Sequence, residues 1–387
     1  MREVKLKIAG FKCFSDDEFV LKTITLLTGS NGTGKSSLIQ ALLLARLSIE
    51  KNLRHHRDED YLNSEEWNDM LIPLNNGYQL KLGTIYDIIR DKEDKKNQIS
   101  ISLDSEFFKF SIPDNSEEDT SVKVKFEWDK ENKGIPFWRK KEFYYLHTER
   151  LGPRHSLEVN FTDFVHCGFQ GEFTAQVLVK NGQKVGFSSA MIDDKSIKLE
   201  QQVNFWLETI CPGVSISAIP ISTMSAQIKV RGSSGKSEML ATNIGFGISY
   251  ALPVIVTGLI AKKNSLFIVE NPEAHLHPKG QSNIGYFLGK VAEAGVKIII
   301  ETHSEHVVNG IRRATLDSET LKPHDANIYF FSGFDESNKL KMKLIKIESE
   351  GSLDKFPKDF FDQVNQDLGE IFRLTQNKSD REPGNIQ

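Results

Sequence analysis

Residues 29 to 36, GSNGTGKS, combine three glycines, a lysine and a terminal hydroxyl at a spacing suited to a polyphosphate. They fill every fixed position of the phosphate-loop pattern G-x-x-x-x-G-K-[S/T]. A triphosphate needs several backbone N–H groups aimed at it and a helix N-terminus behind them. Gly29, Gly32 and Gly34 let the backbone turn close to the phosphates, with Ser30, Asn31 and Thr33 between them. Lys35 supplies a point charge for the β/γ oxygens, Ser36 a hydroxyl for Mg2+, and Ser37 follows on the same turn. Ahead lies the apolar run Ile24 to Leu27, which predicts a buried strand. Behind lies SLIQALLLARL (37–47), which predicts a helix. Strand, loop and helix in that order imply a nucleoside triphosphate as ligand.

Two later segments offer chemistry for such a ligand. In FIVENPEAHLHP (267–278), an apolar run ends in Glu270, followed by Asn271 and Glu273. An acid ending a buried strand beside the phosphate loop can hold Mg2+ through water, and Glu270 takes that role. The run VKIIIE leads into Thr302-His303-Ser304, placing His303 at a neighbouring strand tip within reach of the γ-phosphate or the attacking water. In TNIGFGIS (242–249), Gly245 and Gly247 precede an apolar helix, a second anion-ready N-terminus. The pairs His275/His277 and His303/His306 also have zinc-like spacing. The nucleotide context accounts for three of these four without metal. RHHRDED (54–60) reads as solvated surface.

The elements that position these groups follow from periodicity. MREVKLKIAGFKCF alternates like a first strand, and 51–75 read as a polar, irregular insertion. Strand-like stretches follow at 78–89, 97–112, 121–129 and 142–148, the first three alternating as an antiparallel sheet with one wet face. Residues 196–210 predict a helix, and 214–221 with 226–232 a strand pair. Thereafter 265–270, 296–302, 327–332 and 339–348 predict strands, with helices between them. The 14-residue apolar run Ile248 to Ala261 is short for a membrane span and predicts a buried helix. The tail from Gln376 is polar and predicts fraying. The chain has 387 residues, 39% apolar and 26% charged, with net charge −4. That predicts a soluble globular protein and argues against a strongly basic DNA-coating one. Three scattered cysteines without C-x-x-C predict a reduced, cytoplasmic setting.

The order of phosphate loop, glycine signature, strand acid with proline and histidine loop resembles the ABC-type ATPase heads of SMC, recombination-mediator and OLD proteins. More closely, YLHTERLGPR (145–154), GEFTAQVL (171–178), NIGFGISYALP, ENPEAHLHP and THSEH are similar to a bacterial family of stand-alone AAA/ABC-like ATPases. That family carries a C-terminal P-x-G-F-F-D-Q segment, which here reads FPKDFFDQ (356–363), with Asp359 where glycine is usual.

The resemblance implies ATP and Mg2+ as cofactors. It puts Lys12 near the base or α-phosphate and residues 29–37 on the phosphates and cation. It makes Asn243, Gly245, Phe246, Gly247 and Ser249 the signature that contacts the γ-phosphate held by a second subunit. His275, Leu276 and His277 would cross the dimer interface, and His303 would be the switch histidine. Catalysis would then fall to Glu270, Asn271, Glu273 and His303 in a homodimer or higher homo-oligomer.

Two positions depart from the pattern. Asn271 stands where many such heads carry a glutamate base, which implies slow turnover or substitution by Glu273. No glutamine ends 142–148; Thr148, Glu149 and Arg150 stand there, and Gln40 is a distant substitute. Arg150 and Arg154 read equally as sensors of phosphate and as surface arginines.

Residues 37 to 242 hold strands and prolines without sustained heptads, so no long coiled coil is expected. The span after 332 is too short for an appended TOPRIM nuclease. The expected fold is α/β, an ABC-type P-loop NTPase head with an antiparallel β subdomain and a central parallel sheet flanked by helices. It would form one head over 1–376, with an N-terminal lobe (1–156), a mixed insertion (157–242), a C-terminal lobe (243–376) and a flexible tail (377–387). The expected function is an ATPase serving as sensor or switch for a separately encoded effector, a nuclease or other, in anti-phage defence or DNA transactions. Related stand-alone ATPases occur in defence operons such as Septu. The alternatives are a hydrolysis-poor ATP-dependent scaffold and a DNA-repair ATPase gripping duplex through Arg139, Lys140, Lys141, Arg150, Arg154, Arg312 and Arg313. No membrane contact is expected.

Overall fold

The computed structural model describes residues 3–56, 67–75, 77–90, 98–104, 106–111, 119–128, 141–184, 198–232, 238–243 and 245–379. The first third holds β1 (Val4–Phe11), β2 (Phe14–Leu21), β3 (Ile24–Gly29), α1 (Lys35–His56), β4 (Trp67–Pro73), α2 (Ile85–Ile88), β5 (Ile99–Leu103), β6 (Glu106–Ser111) and β7 (Ser121–Trp128). The middle holds β8 (Phe143–Leu146), β9 (Leu157–Glu158), α3 (Thr174–Asn181), α4 (Leu199–Ile210), β10 (Val214–Ser222), β11 (Ser225–Gly232) and β12 (Glu238–Leu240). Then come α5 (Phe246–Ile260), β13 (Leu266–Glu270), α6 (Pro278–Glu293), β14 (Lys297–Glu301), α7 (Glu305–Asp317), β15 (Ala326–Phe334), β16 (Leu340–Lys346) and α8 (Gln363–Ser379).

The central sheet runs β16-β15-β3-β14-β13-β8. The five strands from β15 to β8 are parallel, and β16 closes the opposite edge antiparallel. Strands β8, β13 and β14 are buried at every position, as parallel strands covered on both faces must be. Alternate side chains enter two different cores. Ile298 and Ile300 of β14 pack among α3 to α7, whereas Ile299 joins the core under α1 and the antiparallel sheet. Helix α5 is apolar all round because it lies inside the first of these cores.

The second sheet, β2-β1-β5-β6-β7-β4, is antiparallel throughout and shows the expected wet face, with β6 alternating buried and exposed residues. A third small sheet pairs β10, β11 and β12, with β9 on β11.

Several expected elements are corrected. Residues 78–89 form a turn and the short α2, not a strand; Tyr78 and Gln79 take positive φ, which breaks any ladder. Within 97–112, β5 and β6 pair antiparallel as a hairpin, with Asp104 at φ 52°. The insertion 51–75 contains the end of α1 and all of β4, and β2 was not foreseen as a strand. Helix α8 runs into the tail expected to fray from Gln376, since residues 376–379 are its last turn; 380–387 lie outside the described residues, as do 57–60 of the histidine-rich run.

Candidate nucleotide-binding site

The site lies at the carboxyl ends of the parallel strands. There β3 delivers the phosphate loop, and β14, β13 and β8 deliver the groups around it. Gly29 pairs with Phe331 of β15 at φ 124°, and a Cβ there would sit 2.1 Å from the Phe331 carbonyl oxygen. Only glycine fits so close to a neighbouring backbone at that φ. The Thr33 hydroxyl donates to the Ser30 carbonyl (2.7 Å), tightening the loop before α1 begins at Lys35. Lys35 is buried, and its ammonium donates to the Gly29 (2.9 Å) and Ser30 (2.6 Å) carbonyls. Burial lowers its pKa, and the nearby Glu301 charge opposes that. Ser30, Asn31, Gly32 and Ser36 are exposed, open to a ligand.

The strand hydrogen-bonded to β3 is β14, not β13; this places Glu301, rather than Glu270, against the loop. Ser36 donates its hydroxyl to Glu301, with Oγ 3.0 and 3.1 Å from the two carboxylate oxygens. Glu270, one strand further, accepts from the Tyr145 hydroxyl (2.8 Å) and the Thr148 N–H (3.3 Å). Burial, reinforced by the Glu301 charge, pushes the Glu270 carboxyl up to about 7.

Arg150 ties the strand ends together. It is 3% exposed and donates to the carbonyls of Glu270 (2.6 Å), Asn271 (2.6 Å) and His147 (3.1 Å). Its guanidinium lies over the Tyr250 ring, 5.3 Å from the centroid. Asn271 sits at φ 44°; its N–H donates to the Glu301 carbonyl (2.8 Å) and its amide to the Thr148 hydroxyl (2.6 Å). Glu273 accepts from the His303 N–H (2.8 Å), and burial raises its pKa. Glu273 Oε2, Asn271 Oδ1 and Arg150 Nε are buried without a hydrogen-bond partner. His303 is exposed; burial of part of its ring and the Lys35 charge hold its pKa down.

Lys12, at φ 49° in the turn between β1 and β2, donates to Gln40 of α1 (2.8 Å). The signature residues open α5. Asn243 and Gly245 are exposed, and Ile244 lies outside the described residues. Phe246 is exposed and packs on His275, with centroids 5.4 Å apart; His275 in turn meets Tyr250 at 4.7 Å. Gly247 backs onto the His275 carbonyl, and Ser249 lines a pocket with Arg154 and Leu252. Among the described residues, no hydrogen bond or ring contact joins Phe246, His275 or His277 to the phosphate loop.

Sequence reasoning thus gathered Lys35, Ser36, Glu270, Asn271, Glu273 and His303 but passed over Glu301 and Tyr145. The signal for Glu301 was present: it too ends an unbroken apolar run. Among the described residues no group of three or more His, Cys, Asp or Glu is placed to hold a metal ion between them. A hydroxyl beside a buried carboxylate at the phosphate loop does fit a hard divalent cation completed by phosphate and water.

This fold and site define a P-loop NTPase head. The chain belongs to the AAA ATPase domain family, whose pattern matches residues 1–163 and 180–308. Residues 321–371 match a second family, described as a protein of unknown function (DUF3696). Among solved structures, the chain is similar to the Smc head domain with an extended coiled coil, bound to the C-terminal domain of ScpA, derived from Pyrococcus furiosus. That likeness has 11% identity and a TM-score of 0.51, over 95% of this chain and 98% of that one. It is also similar to an SmcHead bound to the C-winged helix domain of ScpA (13% identity, TM-score 0.49, 90% and 98%). No curated protein matches the sequence.

Proposed function

We propose that the chain binds ATP with Mg2+ at residues 29–37, hydrolyses it to ADP and phosphate, and dimerises around it. The observation that carries this reading is the Gly29–Ser36 loop set between β3 and α1, with Lys35 and Ser36 beside a buried strand-end carboxylate. The loop N–H groups and the α1 N-terminus bind the phosphates, and Lys35 exchanges its two carbonyl partners for phosphate oxygens. Ser36 and the strand-end acids would hold the cation, which would supply positive charge against the phosphate oxygens.

Asn271 has no group to take a proton. The base role therefore goes to Glu273, with one oxygen fixed by the His303 N–H and the other unpartnered. His303 and Asn271 orient the water. The exposed Phe246–His275 face supports signature contacts across a dimer, where a second helix N-terminus would meet the γ-phosphate.

The reading treats residues 1–376 as one head, because the central sheet draws strands from between residues 24 and 346. It places the head in the cytoplasm; none of the described helices is long and apolar enough to cross a membrane. It acts as a sensor or switch for a separately encoded effector in anti-phage defence or DNA transactions. Asn271 favours one second reading, an ATP-locked scaffold with little turnover. The duplex-gripping alternative has less support. Arg312 and Arg313 are engaged by Gly351, Asn309 and Ser282, and Arg139 and Lys140 lie outside the described residues.

Phosphate release from Mg2+-ATP by the purified chain tests this, with Lys35→Ala as blank, duplex DNA added or omitted, and elution volume followed. Turnover lost in Lys35→Ala is expected. An ATP-driven dimer with no turnover supports the scaffold, and no ATP binding at all overturns both.

A further inference from the structure

We propose that Glu301, at the end of β14, is a direct ligand of the divalent cation that accompanies the nucleotide, sharing it with the Ser36 hydroxyl. The inference rests on the nucleotide reading above and gives a metal-holding role to a residue that the order of sequence motifs leaves unassigned.

Distance is the first argument. Ser36 Oγ lies 3.0 and 3.1 Å from the Glu301 carboxylate oxygens. Mg2+ holds six oxygens octahedrally at about 2.0–2.1 Å, so neighbouring corners stand about 3 Å apart. The hydroxyl and the carboxylate are therefore already at the separation of two adjacent ligands. The Ser36 hydroxyl proton lies between the two groups that a cation would join.

Topology is the second. Glu301 pairs in register with Leu27 of β3, two residues before the loop begins, whereas Glu270 pairs with Glu301 on the far side of β14. Each Glu270 oxygen accepts one hydrogen bond, from Tyr145 and from Thr148, and neither is bonded to Ser36. Glu270 is thus one strand farther from Ser36 and otherwise engaged.

Charge is the third. Glu270, Glu273 and Glu301 are all buried around this strand end, faced by the fixed cations Lys35 and Arg150. A triphosphate adds more negative charge to a site where three carboxylates already outnumber two cations. A buried acid next to the phosphate loop opposes that ligand unless a cation lies between them. Mg2+ sites on phosphates commonly use one or two carboxylates and leave the remaining corners to phosphate and water. A purely structural role, with Glu301 only steadying Ser36, predicts no effect on metal affinity.

The test uses the full chain, with Mn2+ as a paramagnetic probe titrated by EPR in the presence of ADP. Binding of a fluorescent ATP analogue in EDTA is measured in parallel. Glu301→Gln is expected to weaken Mn2+ in the nucleotide complex by tenfold or more, while nucleotide binding in EDTA stays within twofold or tightens. Glu301→Asp, which keeps the charge and shortens the reach, falls between, and guards against a glutamine variant that fails to fold. Glu270→Gln, one strand farther from Ser36, is expected to weaken Mn2+ less than Glu301→Gln does. Mn2+ affinity unchanged in Glu301→Gln overturns the proposal. So does a parallel loss of nucleotide binding in EDTA, which would make Glu301 a prop for the loop. A wild-type chain that binds no nucleotide in either buffer removes the underlying reading instead, and the proposal with it.

Discussion

Replacing Arg150 by methionine tests whether one buried guanidinium holds the catalytic strand ends in place. The side chain is 3% exposed and makes three donations to the carbonyls of His147, Glu270 and Asn271, two of them at 2.6 Å. Hydrogen bonds from charged groups contribute about 1.5–3 kcal/mol each, and they are not additive within one fork. Methionine keeps much of the packing on Tyr250 but takes a charged donor from three carbonyls, the buried Glu270 one among them, and an opposing charge from Glu273. Breaking a buried charged network of this kind costs about 3–5 kcal/mol. Arg150→Lys recovers only part, because one ammonium cannot span the fork. Urea midpoints at pH 7 measure the loss, and amide exchange locates it. Exchange should quicken most at Asn271 and Ala274, whose N–H groups pair with Glu301 and Asn271 carbonyls within this turn. A methionine variant within 1 kcal/mol of wild type, with unchanged exchange there, would refute the clamp.

Lys297 is 1% exposed, donates to the Leu21 carbonyl (3.2 Å), and is lowered to about 8 by burial against the opposing charges of Asp104 and Glu3. An unfolded lysine titrates near 10.4, so between these values the unfolded chain holds the extra proton and stability rises with pH, by about 2.5 kcal/mol from pH 7 to 10. Lys297→Met should remove that rise relative to wild type in urea titrations; an identical pH slope would count against it. Gly29→Ala forces a Cβ to 2.1 Å from the Phe331 carbonyl at φ 124° and should cost about 3 kcal/mol or more in thermal unfolding, with loss of nucleotide binding. Helix α8 leaves Val364, Leu368, Ile371 and Phe372 exposed, so ending the chain at residue 362 should shift the urea midpoint by less than about 0.5 kcal/mol. A large loss would mean that α8 packs on the head.

The parallel strands were legible because burial on both faces leaves a plain chemical trace. LFIV, III and YFF are continuous apolar runs, and the structure turns each into an inner strand. The antiparallel sheet was half legible. Alternation marked β7, but the positive φ of Tyr78, Gln79 and Asp104 depends on local backbone choices that non-glycine residues rarely advertise. Strand β2 escaped because FSDDEFVL carries four consecutive polar residues, Ser15 to Glu18, and only its pairing with β1 makes it a strand.

At the site, sequence order misled in one respect that sheet topology explains. The first acid-ending run after the signature is β13, and chain order alone suggests that it lies beside the phosphate loop. In the sheet β14 is inserted between them, so the acid of the later run reaches Ser36 and the earlier one turns to Tyr145. The two acids still act on each other. Asn271, next to Glu270, donates its N–H to the Glu301 carbonyl, and Arg150 holds the Glu270 and Asn271 carbonyls while stacking on Tyr250, which meets His275 at the exposed Phe246 face. Contacts therefore run unbroken from Ser36 through Glu301, Asn271 and Arg150 to the start of α5. Continuity of contact is not coupling. It does explain why the one arginine of that loop that is buried is the one on this path, while Arg154, four residues on, stays in solvent.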